Sequence, residues 1–131
     1  MDMTISFPGG KKVNASFDGF VVQTDQSVND GGTGSAPEPF ALFLSSIGTC
    51  TGIYVLRFCE QRNIPTEGLT LTLRPEWNDG GLIESIGIVI NAPKDFPKKY
   101  EGAVLKAASL CTVKRHLDAP PKIEISFERS P

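Results

Sequence analysis

Apolar and polar positions change their period repeatedly along this 131-residue chain, and each change marks an element. Met3 to Phe7 and Val13 to Phe17 alternate apolar with polar or small residues, the period of two expected where one face of a strand meets a core. Pro8 to Gly10, "PGG", separates them as a turn. Asp18-Gly19 is a two-residue hairpin signal leading into a third strand, Phe20 to Thr24. This N-terminal meander gives way to a polar, glycine-rich loop, Asp25 to Ala36, expected to be mobile or shaped around something.

From Phe40 to Leu56 charged residues disappear. The pattern predicts a long helix that begins near Pro37 or Pro39, since proline is tolerated in a first turn, and ends near Asn63, before Pro65. Glu38 suits the positive N-terminal end of that helix. Gly48 and Gly52 flank Cys50, each at a cost of roughly 1 kcal/mol against alanine, which suggests that another backbone or a ligand comes close. A charge-free run of about 17 residues is at the short limit for spanning a membrane. This one contains Ser45, Ser46, Gly48, Thr49, Thr51 and Gly52, so it reads as a helix wrapped by its own protein or a partner subunit, with no membrane involved.

Leu69 to Trp77 alternates again, Asn78 to Gly81 is a turn, and Leu82 to Ile90 returns as the second arm of a hairpin. The period then becomes helical: Tyr100, Val104, Ala108 and Cys111 share one face of a helix that Pro97 would start. "TVKRHLDAPP" is broken by Pro120 and Pro121, and Lys122 to Glu128 alternates as a last strand. The order β-β-β, long α, β-β, α, β indicates an α+β fold in one domain over residues 1–131, with antiparallel sheet and helices on one side. A helix apolar nearly all round needs cover on a second side, so the chain is expected to form an obligate homodimer.

Composition adds few constraints. With 40% hydrophobic and 21% charged residues the chain is an ordinary globular protein, and a net charge of -2 offers no positive field for nucleic acid. "MDMTISFPGG" has neither the basic nor the apolar region of a secretory signal, which predicts a cytoplasmic protein. "GGTGSA" lacks the lysine of a phosphate-binding loop. His116 is the only histidine and no CxxC or HxxxH occurs, so neither a metal nor a cofactor is expected.

The chemistry that remains is thiol chemistry. Three cysteines, an odd number in a chain without a signal, suit thiols that are reactive or buried rather than a disulfide framework. Cys50 and Cys59 are separated by about 900° of helical rotation, face opposite sides and cannot pair. Thr49 and Thr51 can donate hydrogen bonds to a Cys50 thiolate, while Arg57 returns to nearly the same face about two turns, roughly 10 Å, away. Cys111 precedes Lys114, Arg115 and His116, a basic segment able to lower a thiol pKa or bind an anion.

"GGTGSAPEPFALFLSSIGTCTG", followed some distance on by "CTVKRHL", resembles the OsmC/Ohr family, osmotically inducible protein C and organic hydroperoxide reductase, most closely its shorter OsmC-like branch. The resemblance implies an intertwined homodimer with antiparallel sheets around a long central helix. It also implies peroxiredoxin-like activity, in which Cys50 attacks an organic hydroperoxide, becomes a sulfenic acid and condenses with the resolving Cys111. The resulting disulfide would be reset by a small thiol or dithiol reductant. Phe40, Phe43 and Tyr54 would line an apolar substrate pocket, with Glu38, Thr51, Arg57 and Arg115 as auxiliary residues. The best-studied members hold a catalytic Arg with a Glu about ten positions before the first Cys. Here Phe40 occupies that position and no Arg precedes Arg57, so Arg57, Lys114 or Arg115, from the same or the partner chain, would have to substitute. The alternative is a non-catalytic OsmC-like protein that binds or senses a small apolar or thiol-reactive ligand at the dimer interface.

Overall fold

A computed structural model describes all 131 residues. Strands β1 (Thr4–Gly9), β2 (Lys12–Phe17) and β3 (Phe20–Thr24) precede helix α1 (Pro39–Gln61). Strands β4 (Thr70–Trp77) and β5 (Ile83–Asn91) follow, then helices α2 (Glu101–Ala108) and α3 (Thr112–Asp118). The fold is α+β, with antiparallel sheets and one long central helix. The chain divides into two compact units, Met1–Ser46 and Ile47–Pro131, and α1 runs from one into the other.

In the first unit β1, β2 and β3 form an antiparallel meander. Asp18 and Gly19 both adopt positive φ, 48° and 83°, which matches the twist of the flanking strands and sets Phe17 opposite Phe20. The loop after β3 is shaped rather than loose. It wraps around the carboxylate of Asp25, which is 1% exposed. That carboxylate accepts from the N–H and hydroxyl of Thr33 (3.3 and 2.7 Å), the N–H and hydroxyl of Ser35 (3.1 and 2.7 Å) and the N–H of Gln26 (2.8 Å). These donors hold the carboxyl well below its ordinary value of 3.8: the hydroxyls of Ser35 and Thr33 contribute most, then the amides of Gln26 and Ser35, against a smaller opposing effect of burial. Gly32 is required here because a Cβ would run into the carbonyl oxygen of Gln26 and lie 2.7 Å from an Asp25 carboxylate oxygen.

In the second unit one apolar cluster unites Val55, Phe58 and Cys59 of α1 with Ile64, Phe96, Val104 and Ala108. Each fully buried Val or Phe adds about 1.5–3 kcal/mol of transfer free energy. Phe58 meets Tyr100 edge to face at 5.9 Å, and the Arg62 guanidinium lies 3.7 Å from the Phe58 ring centre and 5.6 Å from that of Tyr100. The end of α1 is well defined. Asn63 takes φ 54°, the N–H of Ile64 reaches the Cys59 carbonyl at 2.9 Å and that of Asn63 reaches Glu60 at 3.2 Å, closing the last turn so that Ile64 enters the core. β4 and β5 form a continuous hairpin in which Ile86, Ile88 and Ile90 turn inward and Gly87 and Val89 outward. Asn78 holds its turn by accepting from the N–H groups of Gly80 and Leu82.

Two sequence expectations need correction. Cys111 does not lie on the face of a helix shared with Tyr100, Val104 and Ala108: α2 stops at Ala108, and Cys111 sits in the joint as the residue that caps α3. The last strand is absent, because Lys122 to Glu128 pairs with nothing in the chain. Its alternation persists, with Ile123, Ile125 and Phe127 exposed by 82%, 94% and 83%, but a strand exists only where a neighbour takes up its backbone N–H and C=O groups. By length and composition α1 is sufficient to cross a membrane, yet Ile47, Thr51, Val55, Phe58 and Cys59 are buried within the chain.

Candidate active site

The second unit brings two of the three thiols together. Cys50 lies on the half-buried side of α1, Cys111 is fully buried in the joint between α2 and α3, and no disulfide links any of the cysteines. The Cys50 side chain is among the groups that favour the ionised form of Cys111. Cys59 faces the opposite side of α1, in the apolar cluster, where loss of solvent pushes its thiol above the ordinary 9.0 and Arg62 only partly offsets the push.

The joint explains what Cys111 is doing. α3 opens with unpaired backbone N–H groups, and the Cys111 sulfur accepts one of them, that of Lys114, at 3.3 Å. Burial by itself would raise the Cys111 thiol. Groups at the joint, the N–H of Lys114 first among them, together outweigh it and lower the Cys111 thiol from its ordinary 9.0. Thr51, buried on α1, donates its hydroxyl proton to the carbonyl of Ile47 at 2.8 Å, so that proton is not free for the Cys50 thiolate expected from sequence.

Other residues of the second unit gather around the same joint. The Tyr54 hydroxyl and the Thr112 hydroxyl are 2.9 Å apart, which ties α1 to the first residue of α3. Arg115 reaches Thr112 Oγ1 at 3.5 Å, His116 Nδ1 meets the Thr112 carbonyl at 2.7 Å, and Arg57 lies 5.8 Å from the Tyr54 ring centre. Lys114 turns its ammonium to Asp118 at 2.9 Å, so its backbone N–H rather than its charge serves the thiol. The residues missed in sequence are Thr112 and Val113. A helix start directly after Cys111 was the signal needed, and neither Ser109 nor Leu110 announces it.

The second unit holds an apolar cavity of about 370 Å³ lined by Ile47, Thr51, Ile86, Ile88, Leu105 and Leu117, among others, with Lys114 and Asp118 also on its wall and neither Cys50 nor Cys111 in its lining. Tyr54 is not part of this lining. Phe40 and Phe43 belong to the first unit, where their rings lie 5.3 Å apart at a tilt of 37°. Glu38 is also there: its carbonyl accepts from the N–H groups of Ala41 and Leu42 as α1 begins, and its carboxylate accepts from the N–H of Ser27 at 3.2 Å. Gly48 faces the side chain of Leu73 at 3.6 Å from an added Cβ, and Gly52 faces open space, so neither glycine admits another backbone within this chain. No cluster of three His, Cys, Asp or Glu side chains is disposed to hold a metal ion.

The family model described as OsmC-like protein matches residues 32–126, a span that includes both Cys50 and Cys111. The chain belongs to the OsmC-like family. No curated protein sequence matches it significantly. Among solved structures, the chain is similar to one from Psychrobacter arcticus, described as an osmotic stress induced and detoxification response protein. The TM-score is 0.73 and the identity 19%, over 86% of this chain and 85% of that one. It is also similar to a Legionella pneumophila protein described as an organic hydroperoxide resistance protein OsmC, with a TM-score of 0.54 and 17% identity over 89% of both chains. At these identities the likeness establishes the OsmC-like fold.

Proposed function

We propose that this OsmC-like protein is a thiol-dependent peroxidase that reduces organic hydroperoxides. The observation that carries the proposal is the pair of free thiols in the second unit, Cys50 half-buried on α1 and Cys111 buried where its sulfur accepts from the N–H of Lys114, with the Cys50 side chain among the groups that lower Cys111. Cys50, the more accessible of the two, attacks the distal oxygen of the hydroperoxide, breaking the O–O bond and releasing an alcohol. The sulfenic acid left on Cys50 then meets Cys111 without a large rearrangement, and water leaves as the S–S bond forms. A small thiol or dithiol resets the pair by exchange. No cofactor enters these steps. The apolar cavity supports a substrate with a hydrocarbon body, and the described role of the Legionella structure, organic hydroperoxide resistance, fits the same reading.

A homodimer in the cytoplasm is part of the proposal. In the first unit Phe40 and Phe43 are exposed by 46% and 38%; in the second, Ile53 is exposed by 38% and the apolar alternation of the C-terminal segment is unpaired, and a second copy would cover such apolar groups. Free thiols with a reducing partner suit the cytoplasm. Peroxide consumption in a coupled assay tests the enzyme directly: Cys50→Ser should abolish it and Cys59→Ser should leave it intact. Full activity in Cys50→Ser would overturn the proposal.

A further inference from the structure

Helix α3 has seven residues, and none of them is buried. Apolar packing therefore gives it little hold on the rest of the second unit, and polar ties must supply what packing does not. The Tyr54 and Thr112 hydroxyls, 2.9 Å apart, make such a tie between α1 and α3. We propose that Tyr54 and Thr112 form a latch that positions Cys111 for attack on oxidised Cys50. The latch thereby decides whether the Cys50 sulfenic acid closes to a disulfide or is oxidised further. This inference rests on the peroxidase reading above and assigns two positioning residues to its resolving step.

Each end of the latch belongs to an element that carries one of the two thiols. Tyr54 follows Cys50 by four residues on α1, so the two lie on one face of the helix, a turn apart. Thr112 directly follows Cys111, whose sulfur is fixed in the frame of α3: it has no solvent exposure and accepts from the N–H of Lys114 at 3.3 Å. Wherever α3 settles, the Cys111 sulfur settles with it. The bond from Thr112 to Tyr54 ties that frame to the helix that carries Cys50.

Both ends are braced from their own helices. The Arg57 guanidinium, three residues beyond Tyr54 on α1, lies 5.8 Å from the Tyr54 ring centre. On α3, Arg115 Nη2 meets Thr112 Oγ1 at 3.5 Å and His116 Nδ1 meets the Thr112 carbonyl at 2.7 Å. Tyr54, Arg57 and Arg115, expected from sequence to line a pocket or assist catalysis, gather instead around this bond.

The latch bears on a competition between two reactions of one sulfenic acid. In the first, Cys111 attacks the Cys50 sulfur, the S–S bond forms and water leaves. In the second, the Cys50 sulfur attacks the distal oxygen of another hydroperoxide, the O–O bond breaks, and a sulfinic acid and a second alcohol result. The first route spends one hydroperoxide and oxidises each sulfur by one electron. The second spends two and oxidises Cys50 alone by four electrons. Only the first depends on geometry within the protein: the Cβ atoms of a disulfide stand about 3.5–4.5 Å apart. A misplacement of about 1 Å slows such an intramolecular step steeply.

A single-turnover experiment reads the two steps separately. Reduced protein receives one equivalent of cumene hydroperoxide, is quenched at intervals with a thiol-alkylating reagent and is analysed by peptide mass spectrometry. Loss of the free Cys50 thiol reports the first step, and appearance of the Cys50–Cys111 disulfide reports the second. In Thr112→Val the first step should keep its wild-type rate while the disulfide forms about fivefold more slowly, the effect of one lost hydrogen bond. Tyr54→Phe should slow disulfide formation to the same extent, and the double variant no further, because both remove one interaction. With hydroperoxide in excess, these variants should accumulate Cys50 sulfinic acid where wild type accumulates disulfide. Thr112→Ser keeps the hydroxyl and should form the disulfide at the wild-type rate. Wild-type disulfide rates in both Thr112→Val and Tyr54→Phe, or equal slowing of both steps in Thr112→Val, would overturn the inference and leave the peroxidase reading standing. A wild-type Cys50 inert to peroxide would overturn both.

Discussion

The Asp25 loop and the Cys50–Cys111 pair solve one physical problem in two ways. Each buries an acidic group and gives it hydrogen-bond donors in place of water. Around Asp25 all five donors belong to groups with no other task, so the charge is fixed and the glycine-rich loop is shaped by it. Around Cys111 the N–H of Lys114 meets the sulfur at 3.3 Å, and a second, half-buried thiol, Cys50, is among the groups that lower it. Saturating a buried anion with donors makes a staple; a buried thiol with fewer donors and a second thiol acting on it makes a candidate site.

The variants that break this contrast most severely are Asp25→Ala and Cys50→Ser, and they should fail differently. Asp25→Ala leaves the Thr33 and Ser35 donors without their acceptor, and a loss of several degrees in melting temperature is expected. Cys50→Ser should keep the wild-type melting temperature within a degree or two while losing peroxide consumption. Thermal scans beside the coupled assay check both.

Gly32→Ala probes the staple more gently. The new Cβ meets the Gln26 carbonyl, so the loop must shift, at a cost of about 1–3 kcal/mol readable from denaturant midpoints. Acid should act on the same place. The Asp25 carboxyl is depressed by folding, so its stabilisation is fully present above the ordinary value of 3.8 and drains away as pH falls below it. A stability profile recorded from pH 6 to pH 2 should therefore fall less steeply in Asp25→Ala than in wild type. The smallest effect is predicted for Tyr54→Phe. The lost contact with Thr112 is partly exposed, and about 0.5 kcal/mol of stability should go with it.

How much of this was legible in the sequence follows from where the determinants lie. The Asp18-Gly19 hairpin, the β4–β5 hairpin and the long helix are local patterns, and each appears close to the expected bounds. The break before Cys111 was not legible, because helical apolar spacing continues across Ser109 and Leu110 with no proline or glycine to stop it. The last strand was misread for the opposite reason: its own pattern is strong, but the partner that would make it a strand is not in the chain. Asp25 escaped notice because its donors, Thr33 and Ser35, are ordinary loop residues until the backbone folds back on the carboxylate. The pairing of Cys50 with Cys111 followed from the resemblance alone, and the structure adds the N–H of Lys114 on the Cys111 sulfur and a lowered Cys111 thiol.

The most direct test of the account is a map of what peroxide makes. One equivalent of cumene hydroperoxide added to the reduced protein, with non-reducing peptide mass spectrometry after seconds, should give a Cys50–Cys111 disulfide with Cys59 still a free thiol. Unmodified Cys50 and Cys111 after minutes, or oxidation that falls on Cys59 instead, would contradict it.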